Sequence, residues 1–141
     1  RVIASDLSHR VIESAVRGVY GVSSFRTTDE NFREKYFSEI APGQWSVNAR
    51  LREAVRFEQF NLMALAESRR QAIPGGGEFD VIFCRNVLMY FDDEASRETV
   101  RSFHSVLGDG GYLLLGHAES LLPLGAGFEP VQIGRELVHR K

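Results

Sequence analysis

Arg85 and Asn86 are the residues best placed for chemistry, because they follow a run of bulky side chains, Phe79, Val81, Ile82, Phe83 and Cys84. A charged and an amide side chain at the C-terminal end of a buried strand stand where open α/β sheets bind ligands. Tyr90 and Phe91 come next, and Asp92-Asp93-Glu94 then supply a capping side chain and first-turn acids for a helix. Strand, polar tip, aromatic cover and helix, in that order, mark a crevice suited to catalysis. Asp6 ends an earlier apolar run, and its carboxylate offers two acceptors to a ribose diol; taken alone it reads more simply as a helix cap. Asn61-Leu62 sets an amide beside an apolar side chain at another strand end, which suits the edge and the faces of adenine; Asn61 as a plain helix cap is compatible with that.

The elements that must position these residues follow from periodicity. Arg1 to Asp6 reads as a strand, and Ser8 caps a helix whose Val11, Ile12, Ala15 and Val16 share one face, closed by Gly18 and Gly21. Thr27 to Glu30 has the T-x-x-E form of a capping box before a helix with Phe32, Tyr36, Phe37 and Ile40 on one side, and Pro42-Gly43 breaks it. From Trp45 onward the period is two, with Trp45, Val47, Ala49 and Leu51 alternating with Ser46, Asn48, Arg50 and Arg52, so a small antiparallel β-insert is expected at about 43–56. Arg50, Arg52 and Arg56 there form a solvated face or meet an acidic partner.

Val55 to Phe60 reads as the next sheet strand, ahead of a helix from Leu62 to Arg70. Residues 74–78, PGGGE, form a loop with no helix behind it to present amides to a phosphate. Phe79 to Cys84 is apolar on both alternating faces, the pattern of a strand buried on both sides in a parallel sheet. A helix from about Asp93 to Leu107 carries Val100, Phe103, Val106 and Leu107 on one side and is expected to stop at Gly108-Asp109-Gly110-Gly111. Tyr112 to Leu115 is a second fully buried strand, with His117 and Glu119 just past its tip as supporting groups. Beyond it lie the stretches Phe128 to Ile133 and Glu136 to His139, with Gly125-Ala126-Gly127 and Gly134 supplying the turns.

Composition narrows the rest. The chain has 141 residues, enough for one domain with a real core, and it is 43% hydrophobic and 26% charged. Net charge is −2, from 17 basic and 19 acidic residues, so neither nucleic acid nor a membrane surface is expected as main partner. No apolar stretch approaches the roughly 18 residues of a spanning helix. Cys84, alone, excludes an internal disulfide and reads as a small buried hydrophobe in a cytoplasmic protein rather than a nucleophile. His9, His104, His117 and His139 fall in no ligand spacing, and no metal site is expected.

CRNVLMYF with its acidic cluster, together with IASDLS (3–8), FNLM (60–63) and GYLLLGHAES (111–120), resembles the CheR-type chemoreceptor methyltransferases nearly end to end. These enzymes use S-adenosyl-L-methionine (SAM) to esterify receptor glutamates. The resemblance implies an α/β, Rossmann-like SAM-methyltransferase sheet, mostly parallel with an antiparallel closing strand. It puts Asp6 at the ribose, Asn61 and Leu62 at the adenine, Arg85 and Asn86 on the SAM side of the pocket, and Tyr90 near the methyl acceptor; Arg85 and Tyr90 are thus the catalytic candidates. The product would be S-adenosyl-L-homocysteine. The partner would be the receptor cytoplasmic region, with a receptor C-terminal peptide adding to the β-insert.

The family's glycine-rich first strand and loop should lie before residue 1, which makes residues 1–141 the C-terminal part of the catalytic domain. That strand belongs between the strand ending at Asp6 and the one ending at Arg85. Open edges there would leave buried N–H and C=O groups unpaired, so the two strands are expected to re-pair directly, to take a strand swapped from another chain, or to be bridged by the missing segment itself. Two other readings stand beside the enzyme. One is a non-catalytic methyltransferase-like module tethering to a receptor or signalling partner through the β-insert. The other is a small-molecule methyltransferase, for which a docking insert has no use.

Overall fold

A computed structural model describes residues 1–67, 76–116, 119 and 127–141. The chain divides into two compact units, Arg1–Asn61 and Leu62–Lys141.

The first unit opens with strand β1 (Val2–Asp6) and helix α1 (His9–Arg17). Ser8 is the N-cap and accepts the Val11 N–H; Gly18, at φ 62°, is the left-handed C-cap. Gly18 is needed for space as well, because a Cβ there would sit 2.7 Å from Val47 Cγ1. Three antiparallel strands follow in the order β2-β4-β3: β2 (Val19–Gly21), β3 (Phe37–Ala41) and β4 (Gln44–Val47). Helix α2 (Glu30–Tyr36) lies between β2 and β3 in sequence.

Two expectations change here. The helix is capped by Asp29, whose carboxylate accepts the Phe32 N–H, and not by a box at Thr27; Asp is at least as good a cap, and the turn closed by Thr28 N–H on Phe25 O precedes it. Phe37 and Ile40 belong to β3, since the helix ends at Tyr36. Tyr20, Phe25, Phe37 and Trp45 then pack edge to face at centroid distances of 4.9–6.4 Å, with the Arg33 guanidinium 5.1 Å over the Trp45 ring.

The antiparallel ladder thus draws on residues 19–47, and within the expected 43–56 only Gln44–Val47 is antiparallel strand. Residues Ala49–Glu53 form helix α3, capped by Asn48, because Ala-Arg-Leu-Arg-Glu is a run of strong helix formers. A five-residue alternation cannot separate the two periods. Strand β5 (Val55–Gln59) then pairs in parallel with β1, Val2 opposite Val55 and Asp6 opposite Gln59.

The second unit begins with the short helix α4 (Ala64–Glu67); the rest of the helix expected to Arg70, and Pro74-Gly75, lie outside the described residues. Strand β6 (Phe79–Cys84) leads to a 3₁₀ turn (Leu88–Tyr90) and helix α5 (Asp93–Val106), capped by Asp92, whose carboxylate accepts the Ala95 N–H. Strand β7 (Leu107–Leu115) follows, then β8 (Glu129–Ile133) and β9 (Glu136–Arg140), in the sheet order β6-β7-β9-β8. β6 and β7 are parallel, and β9 runs antiparallel to both its neighbours. The class is mixed α/β, as expected, with a parallel ladder in each unit.

The core gathers under α5. Val100, Phe103 and Val106 are buried together with Leu107, Leu113, Leu115 and Cys84, each burial contributing about 1.5–3 kcal/mol for the larger side chains. β6 is not buried on both sides: Phe83 is 71% exposed and Val81 42%, while Cys84 is buried. β7 likewise buries Leu113 and Leu115 but leaves Tyr112 and Leu114 half-buried. The glycines after α5 do not stop it. Leu107 ends the helix in an extended conformation, and 108–111 continue as strand, held by Gly110 N–H to Lys141 O and Lys141 N–H to Gly111 O. Among the described residues, no helix is long and apolar enough to cross a membrane.

Candidate active site

In the first unit, Asp6 closes β1 and Oδ1 accepts the Ser8 N–H at 2.8 Å, so the carboxylate pins the turn into α1. Oδ2 carries no hydrogen bond among the described residues. Phe60 N–H donates to Asp6 O at 3.0 Å, which keeps Asp6 and the chain entering Asn61 at one end of the β1–β5 ladder. Asp6 and Asn61 are therefore neighbours in space as well as candidates in sequence. Leu62, half-buried, begins the second unit, and its carbonyl accepts the Leu65 N–H.

In the second unit, the segment after β6 is held by a group outside it. The Glu119 carboxylate accepts four backbone N–H groups: Oε2 takes Gly116 at 2.7 Å and Asn86 at 2.8 Å, and Oε1 takes Val87 at 2.8 Å and Met89 at 3.3 Å. Burial works to raise the Glu119 pKa, but hydrogen bonds from Gly116, Asn86, Val87 and Met89 outweigh it and hold the carboxyl below its ordinary value. Asn86 sits at φ 58°, the left-handed region that Asn tolerates better than most residues. Leu88 is buried and anchors the turn, with Ser96 Oγ donating to its carbonyl at 3.5 Å.

Arg85 is exposed and forms no ion pair among the described residues, and Tyr90 is 80% exposed. Arg85, Asn86 and Tyr90 thus share one clamped turn. Sequence reasoning gave Glu119 only a supporting place; the signal it offered was an acid three residues beyond Gly116 at a strand tip. His117 lies outside the described residues. Cys84, beneath the turn, is no nucleophile: burial pushes its thiol up to about 12, and the Glu119 charge adds to the rise.

A family model described as "CheR methyltransferase, SAM binding domain" matches residues 1–136. The chain belongs to the CheR methyltransferase family. It is 40% identical over 120 residues to "Chemotaxis protein methyltransferase 2" of Vibrio cholerae, covering 85% of this chain and 40% of that protein. With "Chemotaxis protein methyltransferase Cher2" of Pseudomonas putida it shares 32% over 141 residues, 99% of this chain and 49% of the other. "Probable biofilm formation methyltransferase WspC" of Pseudomonas aeruginosa is 36% identical over 140 residues, 99% of this chain and 32% of that one. The chain spans about half or less of the length of the curated relatives it matches.

The donor set suits the cofactor that names this CheR domain. Asp6 Oδ2 accepts no hydrogen bond among the described residues, as a ligand hydroxyl there would require, and Asn61 follows the neighbouring strand β5 with its amide. Arg85 and Asn86 carry polar groups at the C-terminal end of a parallel strand, where α/β sheets present ligand sites.

Proposed function

We propose that this chain forms the SAM-binding part of a cytoplasmic enzyme that methylates glutamate side chains of chemoreceptors, giving glutamyl methyl esters. What supports this most is the exposed Arg85–Tyr90 turn at the C-terminal end of β6, clamped by Glu119, in a chain of the CheR family.

Bound SAM would supply an electrophilic methyl group on a positive sulfonium. A receptor glutamate is already ionised near pH 7, so its oxygen can take the methyl without a general base. The protein's work is then to orient and to exclude water. In this reading Asp6 holds the ribose, Asn61 and Leu62 the adenine, and Arg85 and Asn86 the SAM side of the pocket. Tyr90 orients the accepting carboxylate through its hydroxyl. Charge is neutralised as the ester forms, so a dry surrounding favours the step.

Two partner readings belong with this proposal. β2 and β3 are the edges of the β2-β4-β3 sheet and offer backbone groups to an added strand, which suits a receptor C-terminal peptide. β1 and β6 each pair on one side only among the described residues, so each would accept a further strand, from the same protein or a second copy.

The deciding experiment incubates the full-length protein with methyl-labelled SAM and a receptor cytoplasmic region. Base-labile label on receptor glutamates is the expected result. Label that is absent, or stable to base, would overturn the reading.

A further inference from the structure

Glu119 is saturated. A carboxylate has about four acceptor sites, and four backbone N–H groups occupy them at 2.7, 2.8, 2.8 and 3.3 Å. No acceptor is left for a substrate proton or a cofactor hydroxyl, so Glu119 cannot be a base or a ligand while the turn keeps this shape. Its donors come from two strand tips. Gly116 follows β7, whereas Asn86, Val87 and Met89 follow β6, and these strands are parallel neighbours.

The close approach has been left room. A Cβ on Gly116 would collide with Asn86 Oδ1 and lie 2.8 Å from Glu119 Oε2 and 3.0 Å from Asn86 N. A side chain at 116 would have to push the Asn86 amide or the Glu119 carboxylate aside. Asn86, meanwhile, holds a positive φ of 58°, a conformation that needs support from outside for a residue with a side chain. Three of the four bonds bracket that residue and the start of the 3₁₀ turn that carries Tyr90. Arg85 and Tyr90, which flank the bonded amides, are both exposed.

We propose that Glu119 is the positioning residue of this site: its carboxylate locks the Asn86–Tyr90 turn to the tip of β7, in register for the reacting groups. The kinetic consequence rests on the methyl-transfer reading above, whereas the clamp itself does not. The carboxylate touches only backbone, so it does not itself engage the side chains at 86, 87 and 89; Asn86 remains the residue type suited to the positive φ there.

The test uses the full-length protein and its Glu119→Gln, Glu119→Asp and Gly116→Ala variants. Glutamine keeps the length but turns one acceptor oxygen into a donor that faces N–H groups. Amide hydrogen exchange at Asn86, Val87, Met89 and Gly116 should quicken by about tenfold to a hundredfold, with α5 amides unchanged. The kcat for methyl transfer should fall by at least about tenfold, with a smaller change in KM for the receptor region. Glu119→Asp, which keeps the charge on a shorter stem, should restore part of both. Gly116→Ala should reproduce the defect with the carboxylate intact.

Wild-type protection of the four amides in Glu119→Gln would overturn the clamp. Lost protection with wild-type kcat would overturn the positioning role. General loss of protection in α5 would mark unfolding of that variant, and Gly116→Ala then decides by the same two readouts. If the wild type transfers no methyl group, the functional reading falls, and exchange together with S-adenosyl-L-homocysteine affinity across the variants decides the clamp.

Discussion

The carboxylate of Glu119 reaches back 33 residues to take the backbone N–H of Asn86 at 2.8 Å, joining the tips of two parallel strands. Asn86 is the non-glycine residue with positive φ among those described, so the bond falls where the backbone most needs support. One acidic side chain thereby fixes the place from which Arg85 and Tyr90 leave the sheet. Everything expected of those two side chains depends on a group that neither touches.

Ligand affinity separates the two halves of the reading. Asp6→Asn keeps an oxygen for the Ser8 N–H but loses the charge, and Asn86→Ala removes the amide. Each should weaken S-adenosyl-L-homocysteine binding to the full-length protein by about 1–3 kcal/mol, roughly tenfold to a hundredfold. Calorimetry finding both affinities unchanged would remove these residues from the cofactor site.

Tyr90, being 80% exposed, contributes little to the core, so Tyr90→Phe should leave thermal stability and SAM affinity close to wild type. Transfer to a receptor region should fall, because the hydroxyl that orients the acceptor is gone. Equal turnover at saturating SAM would end that role for Tyr90.

Cys84 should resist alkylation. With its thiol pushed up to about 12, almost no thiolate exists near pH 8, and the side chain is buried. Iodoacetamide should label the folded protein very slowly and the denatured protein readily. Rapid labelling under native conditions would show that β6 opens.

Acid should destabilise the protein in two steps. His139 is buried in β9, and loss of water holds its pKa below the ordinary value of 6.5; the unfolded chain therefore binds a proton that the folded one resists. That stability is present above about pH 6.5 and is lost as pH falls through the folded value. Glu119, also lowered, adds a second loss in the same direction below its ordinary value of 4.5. Melting temperature should drop as pH falls below about 6.5, and His139→Gln should flatten that slope. An unchanged slope in the variant would exclude His139 as its source.

Packing gives a further check. Leu113 is fully buried against α5, so Leu113→Ala should cost about 2–5 kcal/mol in denaturant unfolding. A loss below about 0.5 kcal/mol would mean that the core under α5 is looser than its burial implies.

Local signals in the sequence settled a good deal. Ser8 and Asp92 announce α1 and α5 because a cap acts on amides two or three residues away. The apolar runs of β1, β5 and β6 end at Asp6, at the chain entering Asn61, and at Arg85, and the strands stop there as read. The CheR-like motifs fixed the family.

Tertiary structure decided the rest, for reasons of distance. Asp29 displaced Thr27 as a cap, and Ala49–Glu53 coiled instead of extending, because short stretches satisfy two periods equally and their packing chooses. Gly108 to Gly111 became strand because Lys141, thirty residues on, supplies the ladder bonds that keep them extended. Phe83 and Val81 were apolar enough to be buried yet stand exposed, since burial depends on what covers a face and not on the residue itself. The use of Glu119 was hidden for the same reason. An acid in the run Gly-His-Ala-Glu-Ser carries no local sign of four backbone N–H groups, three of which arrive from a turn some thirty residues earlier only once β6 and β7 lie side by side.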